Sequence, residues 1–381
     1  MPINSKSDFD LAIVGGGLAG LTLAIQSADA GYRVILFEKE TYPFHKVCGE
    51  YISLESWDFL IRCGVKLTDW ELPIIKRLNV SDMFGKEYNF NLPLGGFGVS
   101  RYQLDHALYQ IALKRGVLIY SNCKVNDIIF QDDYFTIQTN DIICTARVAV
   151  GSYGKRSNLD VRWNRKFTLA RPNKINHFIA VKYHIKYKQP ADTISLHNFQ
   201  NGYCGISRIE NDSCCLCYLS SAENLQISGN SIPELEKNIL SKNVQLKKIF
   251  SEAKHLYTQP LTISQISFQQ KSQIENHVLL LGDAAGMITP LCGNGMSMAL
   301  RSAKIGFDKI DLFLSGTTNR GQMETLFTTQ WKKEFSLRTQ IGRTVQYFFG
   351  GSLSTSLFLK TMNTFPFLSK ILIEQTHGKP F

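Results

Sequence analysis

The pattern of apolar and polar positions predicts a strand, a turn, a helix and a second strand at the start of the chain. An apolar run from Leu11 to Val14 leads into a glycine-rich stretch from Gly15 to Gly20. The positions that then recur at helical spacing are Leu18, Leu21, Ile25 and Ala28. A second apolar run ends at Glu38. Alternation between a period of two and a period of 3.6 residues is typical of a strand-turn-helix-strand unit.

The glycine-rich turn of this unit predicts a dinucleotide-binding site. Glycines at positions 15, 17 and 20 let the backbone approach a pyrophosphate at a helix N-terminus. Free N–H groups and the helix dipole favour negative charge there. Glu38, at the end of the second strand, can accept hydrogen bonds from ribose hydroxyls. Alone, the unit does not distinguish NAD from FAD.

A second motif indicates FAD. An apolar strand beginning at Val278 ends in Gly282-Asp283, and a Gly293-Asn294-Gly295 turn precedes another helix. This arrangement resembles the ribityl-binding motif of the aromatic-hydroxylase-type flavoproteins. The resemblance implies that Asp283 binds a hydroxyl of the flavin's sugar chain. It also implies that the backbone from Gly293 to Met296 approaches the pyrimidine edge of the flavin, where a helix N-terminus would stabilise negative charge.

A third segment, from Tyr42 to Glu50, resembles the corresponding part of the geranylgeranyl reductase-like flavoproteins. In those relatives the segment lies beside the flavin ring, and its cysteine faces the substrate cavity. The resemblance therefore implies that Cys48 lines the cavity. We favour a role in shape and polarity over thiolate chemistry, because a free cysteine is often simply a small buried hydrophobic residue.

The segment from Val99 to Asp105 and the segment from Val150 to Ser157 are further points of comparison. The first resembles a family segment in which an arginine reaches the FAD phosphates, which assigns that role to Arg101. The second departs from the hydroxylases, because Tyr153 stands where they usually carry aspartate. The departure predicts slow direct reduction by NAD(P)H, while FAD binding is retained.

The predicted site residues follow from these segments. The expected cofactor-binding residues are Gly15, Gly17, Ala19, Gly20, Glu38, Lys39, Lys46, Cys48, Arg101, Asp283, Gly293, Asn294, Gly295 and Met296. The candidate catalytic residues are Cys48 and Tyr203, the latter in a substrate strand from Asn201 to Arg208. No metal site is expected, because Cys215 and Cys217 are same-face neighbours on a strand without partners at ligand spacing.

The two FAD motifs are far apart in sequence yet must meet on one cofactor, so the FAD domain must be discontinuous. The 381 residues suffice for about two domains. We expect an α/β fold with a Rossmann-like FAD-binding domain, an inserted antiparallel-sheet substrate domain and C-terminal helices. The predicted ranges are 1–75, 100–165 and 270–310 for the FAD domain, 76–99 and 166–269 for the substrate domain, and 311–381 for the closing helices.

Charge and cysteine usage narrow the expected cellular compartment and the expected binding partners. Nine cysteines without regular spacing argue against a disulfide framework, and the early first strand argues against a signal peptide, so a cytoplasmic protein is expected. A net charge of +10 favours acidic partners, but the basic residues are scattered and accompany no nucleic-acid motif.

The Phe- and Leu-rich segment from Phe348 to Leu372 predicts a packed helix pair, with peripheral membrane contact as the alternative. The oligomeric state is left open.

Three functions compete at this point. The first is a reductase in which reduced FAD delivers hydride to a carbon–carbon double bond of an apolar, isoprenoid- or polyene-like substrate. The second is a monooxygenase that hydroxylates or epoxidises its substrate after reduced FAD captures dioxygen. The third is a non-catalytic FAD-binding protein. Electrons would come from NAD(P)H docking transiently or from a reduced partner protein. A halogenase is disfavoured, because the Trp-x-Trp-x-Ile-Pro signature of those relatives is absent.

Overall fold

The computed structural model describes residues 7–170 and 177–381. The predicted domain ranges 1–75 and 166–269 therefore include short stretches, 1–6 and 171–176, that lie outside the described residues. The strands, in chain order, are β1 (Phe9–Val14), β2 (Val34–Phe37), β3 (Tyr51–Ser53), β4 (Ile74–Ser81), β5 (Glu87–Gly98), β6 (Leu118–Tyr120), β7 (Asp127–Gln131), β8 (Tyr134–Gln138), β9 (Ile143–Gly151), β10 (Phe178–Lys186), β11 (Thr193–Phe199), β12 (Gly202–Arg208), β13 (Cys214–Ser221), β14 (Lys254–His255), β15 (Leu261–Ile266), β16 (Ile274–Glu275) and β17 (Val278–Leu280).

The helices connect and cover these strands. In chain order they are α1 (Leu18–Asp29), α2 (Trp57–Arg62), α3 (Arg101–Lys114), α4 (Asn158–Arg162), α5 (Ala222–Ile227), α6 (Ile232–Asn238), α7 (Val244–Glu252), α8 (Gly295–Leu314), α9 (Arg320–Phe348), α10 (Ser352–Thr364) and α11 (Pro366–Thr376). The predicted first helix agrees with α1, and the predicted C-terminal helices are α9, α10 and α11.

The first sheet has the order β16-β17-β9-β1-β2-β6, and its strands from β17 to β6 are parallel. The β7–β8 hairpin adds to β9. The end of β1 is buried throughout because helices cover both faces of a parallel sheet, which explains its unbroken apolar run. Helix α1 packs against α3 and α8. This sheet joins the N-terminal unit to the distant strand before Asp283, so the predicted discontinuous Rossmann-like domain is confirmed.

The second sheet has the order β14-β10-β13-β12-β11-β4-β5-β3, with β15 added to β10. Its pairs are antiparallel except for β11 with β4. One face packs on α6 and α7 through Leu235, Leu246 and Ile249. The other face points toward the first sheet and the C-terminal helices, where Phe268 and Leu359 are buried. An antiparallel-sheet substrate domain was predicted, and the sheet confirms that fold class.

The second sheet also recruits residues from the range predicted for the FAD domain. Tyr51–Ser53 pairs with β5, and β4 begins at Ile74. The segment from Tyr42 to Glu50 therefore crosses from one sheet to the other. Pairing with a strand that is distant in sequence is decided by tertiary packing, which local patterns do not encode. This crossing places the Cys48 segment at the junction of the two sheets.

Candidate functional site

The glycine turn after β1 has the close packing that its sequence predicts. Gly15 has a φ of +108°, and a Cβ there would lie 2.6 Å from the carbonyl carbon of Ser152. A Cβ at Gly20 would lie 2.0 Å from the Gly15 oxygen, so α1 packs directly on β1. Gly17 begins α1 without a side-chain cap. The first amides of α1 are therefore available to an anion.

Glu38 is fixed at the end of β2. One carboxylate oxygen accepts a hydrogen bond from the Gly16 N–H at 2.8 Å, and the other accepts from the Glu40 N–H at 3.1 Å. The carboxylate thus lies against the glycine turn, as a ribose ligand requires. The Lys39 side chain, by contrast, is largely exposed with Nζ 3.7 Å from Glu40 Oε1, and its predicted cofactor role stays a prediction.

Two basic side chains reach the turn. Lys46 Nζ and Arg101 Nη2 would lie 3.7 and 3.6 Å from a Cβ at Gly17. Asp105 holds both, with its carboxylate accepting from Arg101 Nε at 2.7 Å and lying 3.1 Å from Lys46 Nζ. Burial acts to raise the pKa of Asp105, but the charges of Arg101 and Lys46 prevail and lower it. Sequence analysis missed Asp105 as the residue that positions these two cations.

Asp283 directly follows β17, at the same sheet edge as the glycine turn. Burial raises the pKa of Asp283, although Lys271, Arg101 and Lys155 act to lower it. Lys271 is itself buried, and this burial lowers its pKa to about 8. Its ammonium group donates to the Asp283 carbonyl at 2.8 Å and to the Lys155 carbonyl at 2.7 Å. A carboxylate that folding has desolvated gains from a hydroxyl donor.

The loop before α8 lies opposite β3. Gly293 has a φ of +63°, and a Cβ there would lie 3.1 Å from the Tyr51 ring. The Asn294 side chain donates to the Thr376 carbonyl at 2.8 Å, which ties this loop to the end of α11. Gly295 begins α8, and Met296 is buried in the core. Ala19 is also buried, near Gly282. The predicted cofactor roles stay predictions for Gly293, Asn294, Gly295, Met296 and Ala19.

Tyr153 replaces the aspartate of the hydroxylases, and the structure shows what it does instead. Its hydroxyl donates to the Asp160 carboxylate at 3.0 Å. Asp160 also accepts from Arg165 Nη1 at 2.6 Å, and both side chains are buried. A neighbouring helix therefore supplies a buried carboxylate close to position 153. Because Arg165 already neutralises this carboxylate, it is not free to bind a cofactor cation or hydroxyl.

A buried polar group, here called the Glu50 cluster, lies where the Cys48 segment meets β10 and β13; its members are Glu50, Lys182, His184 and Cys215. Lys182 Nζ donates to Glu50 Oε1 and, at 3.0 Å, to the Lys46 carbonyl. The second Glu50 oxygen lies 2.6 Å from His184 Nε2. The desolvation of Glu50 acts to raise its pKa, but Lys182 and His184 prevail and lower it.

The ligating atoms of Glu50, His184 and Cys215 lie within 4.8 Å of one another. Sequence spacing gave no hint of this grouping, because the partners come from three distant strands or loops. Glu50 already has Lys182 as its counter-cation, and a metal ion would have to displace this ammonium group. The expectation of no metal site stays a prediction.

Cys48 lies with the Glu50 cluster. The Cys215 thiol donates to the Cys48 carbonyl at 3.2 Å, and the Glu50 N–H lies 3.5 Å from Cys48 Sγ. Burial raises the pKa of the Cys48 thiol, so the neutral form is favoured. This agrees with a role in shape rather than in thiolate chemistry.

An apolar chamber that opens to solvent lies on the same face of the second sheet, and its empty space, open mouth included, is about 840 Å³. Its walls come from β4, β5 and β11, from the loop before α8, and from helices α9 to α11. Representative lining residues are Leu78, Val80, Phe90, Leu196, Leu291, Gly293, Phe358 and Ile373. Tyr51 lines the chamber whereas Glu50 belongs to the Glu50 cluster, and the predicted place of Cys48 in the substrate cavity stays a prediction.

Tyr203 lies between the chamber and the cluster. Its ring is buried with Leu291, and its hydroxyl lies near the Leu291 backbone but makes no hydrogen bond of good geometry with the described residues. Burial raises the pKa of Tyr203 well above its usual value, so the hydroxyl keeps its proton. An unpaired buried hydroxyl is costly, and a bound molecule beside the loop would satisfy it.

Helices α10 and α11 close the chamber with their inner sides. Leu359 is 2% exposed, whereas Leu353 and Leu357 on the outer side of α10 are 86% and 68% exposed. Phe367 and Ile371 are the corresponding exposed residues of α11. The segment thus packs as predicted and still presents apolar side chains outward. Within residues 7–170 and 177–381, no helix is long and apolar enough to cross a membrane.

Comparisons with known proteins support FAD as the cofactor. A family described as an FAD binding domain matches residues 10–45, which are the predicted dinucleotide unit. Among curated proteins, conditioned medium factor receptor 1 of Dictyostelium discoideum is 24% identical over 335 residues, 80% of this chain. The chain spans 64% of the length of that relative.

Solved structures share the fold over nearly the whole chain. A triple mutant of the flavin-dependent brominase Bmp2 has a TM-score of 0.77 at 17% identity, covering 97% of this chain and 95% of its own. A geranylgeranyl bacteriochlorophyll reductase-like protein of Thermoplasma acidophilum has a TM-score of 0.76 at 17% identity, covering 97% and 92%. The fold class is confirmed, and the chain resembles FAD-binding proteins of this fold. One fold serves both a brominase and a reductase-like protein, so the fold alone does not select the reaction.

Proposed function

We propose that the protein is an FAD-dependent reductase that saturates a carbon–carbon double bond of an apolar, isoprenoid- or polyene-like substrate. The observation that carries the proposal is the apolar chamber, which the loop from Pro290 to Gly293 borders. Ligand sites are typically apolar cavities with a few placed polar groups. An elongated hydrocarbon would fill such a chamber and bury its surface against leucine, valine and phenylalanine side chains.

The residues present fit FAD. The uncapped N-terminus of α1 and the nearby Lys46 and Arg101 would hold the pyrophosphate, Glu38 the ribose and Asp283 the ribityl chain. Bound reduced FAD supplies a hydride. The close approach that Gly15 and Gly20 permit would be lost with any side chain. An electron donor, either NAD(P)H or a reduced partner protein, is part of the proposal.

Tyr203 supplies the proton that must accompany hydride. Its neutral hydroxyl lies in the apolar environment next to Leu291, where no described side chain competes for the proton. The chamber walls are apolar, which favours a positioned group as the proton source. Tyr203 was a candidate in the sequence, and its unpartnered hydroxyl supports this role.

The alternative is a monooxygenase, which shares the FAD site and the chamber but needs dioxygen. Halogenases share the fold, yet the four tryptophans of this chain lie outside the chamber. Trp57, Trp70, Trp163 and Trp331 instead pack on or in the core of the FAD-binding domain. The third possibility, FAD binding without turnover, leaves the unpaired Tyr203 hydroxyl without a purpose.

Anaerobic reduction tests the proposal. The purified protein is reduced without oxygen and mixed with geranylgeraniol in detergent, and the flavin spectrum is followed. Reoxidation together with a saturated product supports the reductase. Failure under nitrogen, followed by substrate-stimulated oxygen uptake in air, would establish the monooxygenase instead. Tyr203→Phe should slow anaerobic reoxidation by about a hundredfold or more, whereas Tyr134→Phe in the β7–β8 hairpin should not.

A further inference from the structure

A chain of hydrogen-bonding groups runs from the Glu50 cluster toward solvent. Glu50 Oε2 lies 2.6 Å from His184 Nε2, and His184 Nδ1 lies 3.1 Å from the Tyr257 hydroxyl. Glu50 is completely buried and His184 is 4% exposed, whereas Tyr257 is 40% exposed. His45 Nε2 lies 3.0 Å from the same hydroxyl and holds it in place. The path therefore leads from a fully buried carboxylate to the surface in two hydrogen bonds.

The chemistry of the groups fixes the direction of these bonds. A carboxylate only accepts, so His184 donates through Nε2. The relay takes His184 as a neutral imidazole, in which the other nitrogen accepts, so that Tyr257 donates to Nδ1. The Tyr257 oxygen in turn accepts from His45 Nε2. Every bond points inward to Glu50, as a chain that carries protons inward requires.

Glu50 links two parts of the predicted flavin site. Its Oε1 accepts from the Arg101 N–H at 2.8 Å, and the Arg101 side chain reaches the glycine turn. The next residue, Tyr51, lies against Gly293 in the chamber wall. Glu50 therefore stands between the phosphate end and the ring end of the proposed cofactor position.

We infer that Tyr257, His184 and Glu50 form a proton relay that supplies the interior of the site from solvent. A solvent proton binds to the Tyr257 oxygen as its own hydroxyl proton moves to His184 Nδ1. The Nε2 proton of His184 then moves to Glu50 Oε2. Glu50 gains one proton, Tyr257 is unchanged, and His184 is left as its other tautomer until the chain resets. The relay rests on the proposed function only in requiring bound FAD and proton uptake during its reduction.

The groups around the Glu50 carboxylate favour a proton that stays there only briefly. Lys182, the Arg101 N–H and His184 all face the Glu50 carboxylate, while the Cys48 and Cys215 thiols lie beside it. Burial acts to raise the pKa of Glu50, but the charge of Lys182 and the hydrogen bond from His184 keep it low, so a protonated Glu50 gives up its proton readily. Around the outer end, burial and the charge of Lys182 lower the pKa of His45 to about 4. His45 therefore stays neutral and anchors Tyr257 without storing charge.

Proton uptake during photoreduction of the FAD-loaded protein tests the relay. The reaction is followed in weak buffer with phenol red as the proton indicator. Tyr257→Phe and His184→Asn should slow proton uptake at least tenfold and change its solvent isotope effect, with FAD content unchanged. Free imidazole should partly rescue His184→Gly. Tyr187→Phe, on the strand end that follows His184, is the matched control and should behave as the natural protein.

A second measurement needs no cofactor. In the cofactor-free protein, Tyr257→Phe removes the donor to His184 Nδ1 and should shift the ¹⁵N resonance of that nitrogen, whereas Tyr187→Phe should not. Unchanged proton uptake and isotope effect in Tyr257→Phe would overturn the relay and leave the reductase standing. Normal relay kinetics without reoxidation by any unsaturated lipid would overturn the reductase alone.

Discussion

The two halves of one sheet face differ in chemistry although a single row of neighbouring residues connects them. Strand pairing aligns Val80 with Leu196, Leu196 with Gly205, Gly205 with Cys217, and Cys217 with Lys182. The row begins in the apolar chamber and ends in the Glu50 cluster. Gly205 stands where the row passes from apolar to polar residues. A Cβ at this position would lie 3.3 Å from the Leu196 side chain, so a larger residue would crowd Leu196.

The two halves of the sheet face serve different tasks, namely binding an apolar substrate and holding buried charged groups. The apolar half excludes water and offers hydrophobic surface, which fits an apolar substrate. The polar half holds charges that are paired and hydrogen-bonded, which is the condition for keeping them buried. A reaction that reduces a hydrocarbon needs both, because apolar surface binds the hydrocarbon and polar groups supply the proton.

Removing the Glu50 carboxylate from the polar half should have the largest effect, and this effect is on stability. Glu50→Ala leaves Lys182 buried without its partner, and we expect the free energy of unfolding to fall by about 3–5 kcal/mol. Urea denaturation measures this loss. The double variant Glu50→Gln/Lys182→Met removes both charges and should lose much less stability. A double variant as unstable as Glu50→Ala would show that the ion pair is not the reason.

Asp283→Ala tests whether FAD lies along the junction of the two halves. Loss of a hydrogen bond to a charged group costs about 1.5–3 kcal/mol, so FAD affinity should fall by about ten- to a hundredfold. Fluorescence titration of FAD measures the change. Asp308→Ala, on the exposed side of α8, is the control. Full FAD retention in Asp283→Ala would contradict the assigned ribityl role.

Acid should weaken the polar half selectively. The pKa of Glu50 is lowered from its ordinary 4.5 in the folded state, so its ion pair stabilises the fold above pH 4.5. That contribution is lost as the pH falls further, through the folded-state pKa. Unfolding free energies measured between pH 7 and pH 3 should therefore fall less in Glu50→Gln than in the natural protein. Parallel curves would contradict the assignment.

Narrowing the apolar half should change substrate use with little change in stability. Val80→Phe adds volume that the chamber can accept, so the loss should stay below the about 1–3 kcal/mol typical of an overpacked core. The KM for long isoprenoids should rise while FAD content stays normal. Val244→Phe, at an exposed position, should change neither quantity. An unchanged KM in Val80→Phe would place the substrate elsewhere.

Cys48→Ser should have the smallest effect. A hydroxyl of similar size retains the contacts of a neutral thiol, so FAD should stay bound and turnover should fall only modestly. Steady-state kinetics and the flavin spectrum measure both. Complete loss of activity with normal FAD content would show that the thiol takes part chemically.

The sequence by itself determined the FAD-binding half of the molecule. Gly15, Gly20, Glu38 and Asp283 could be predicted as cofactor-binding residues because each depends on a local feature, namely a tight turn or the end of a strand. Their roles come from backbone geometry within one strand-turn-helix unit, which short patterns encode. The inserted antiparallel sheet was also predicted from short local patterns, namely those of its strands.

Only the tertiary structure decided the other half. Glu50, Lys182 and His184 come from β10 and from a segment far before it in the chain, and no pattern at either position reports the partner. Cys48 lies beside the Glu50 cluster because its segment crosses into the second sheet, and its place in the substrate cavity stays a prediction. Long-range strand pairing decides which side chains meet, because the face that a residue presents depends on register and on the neighbouring strand.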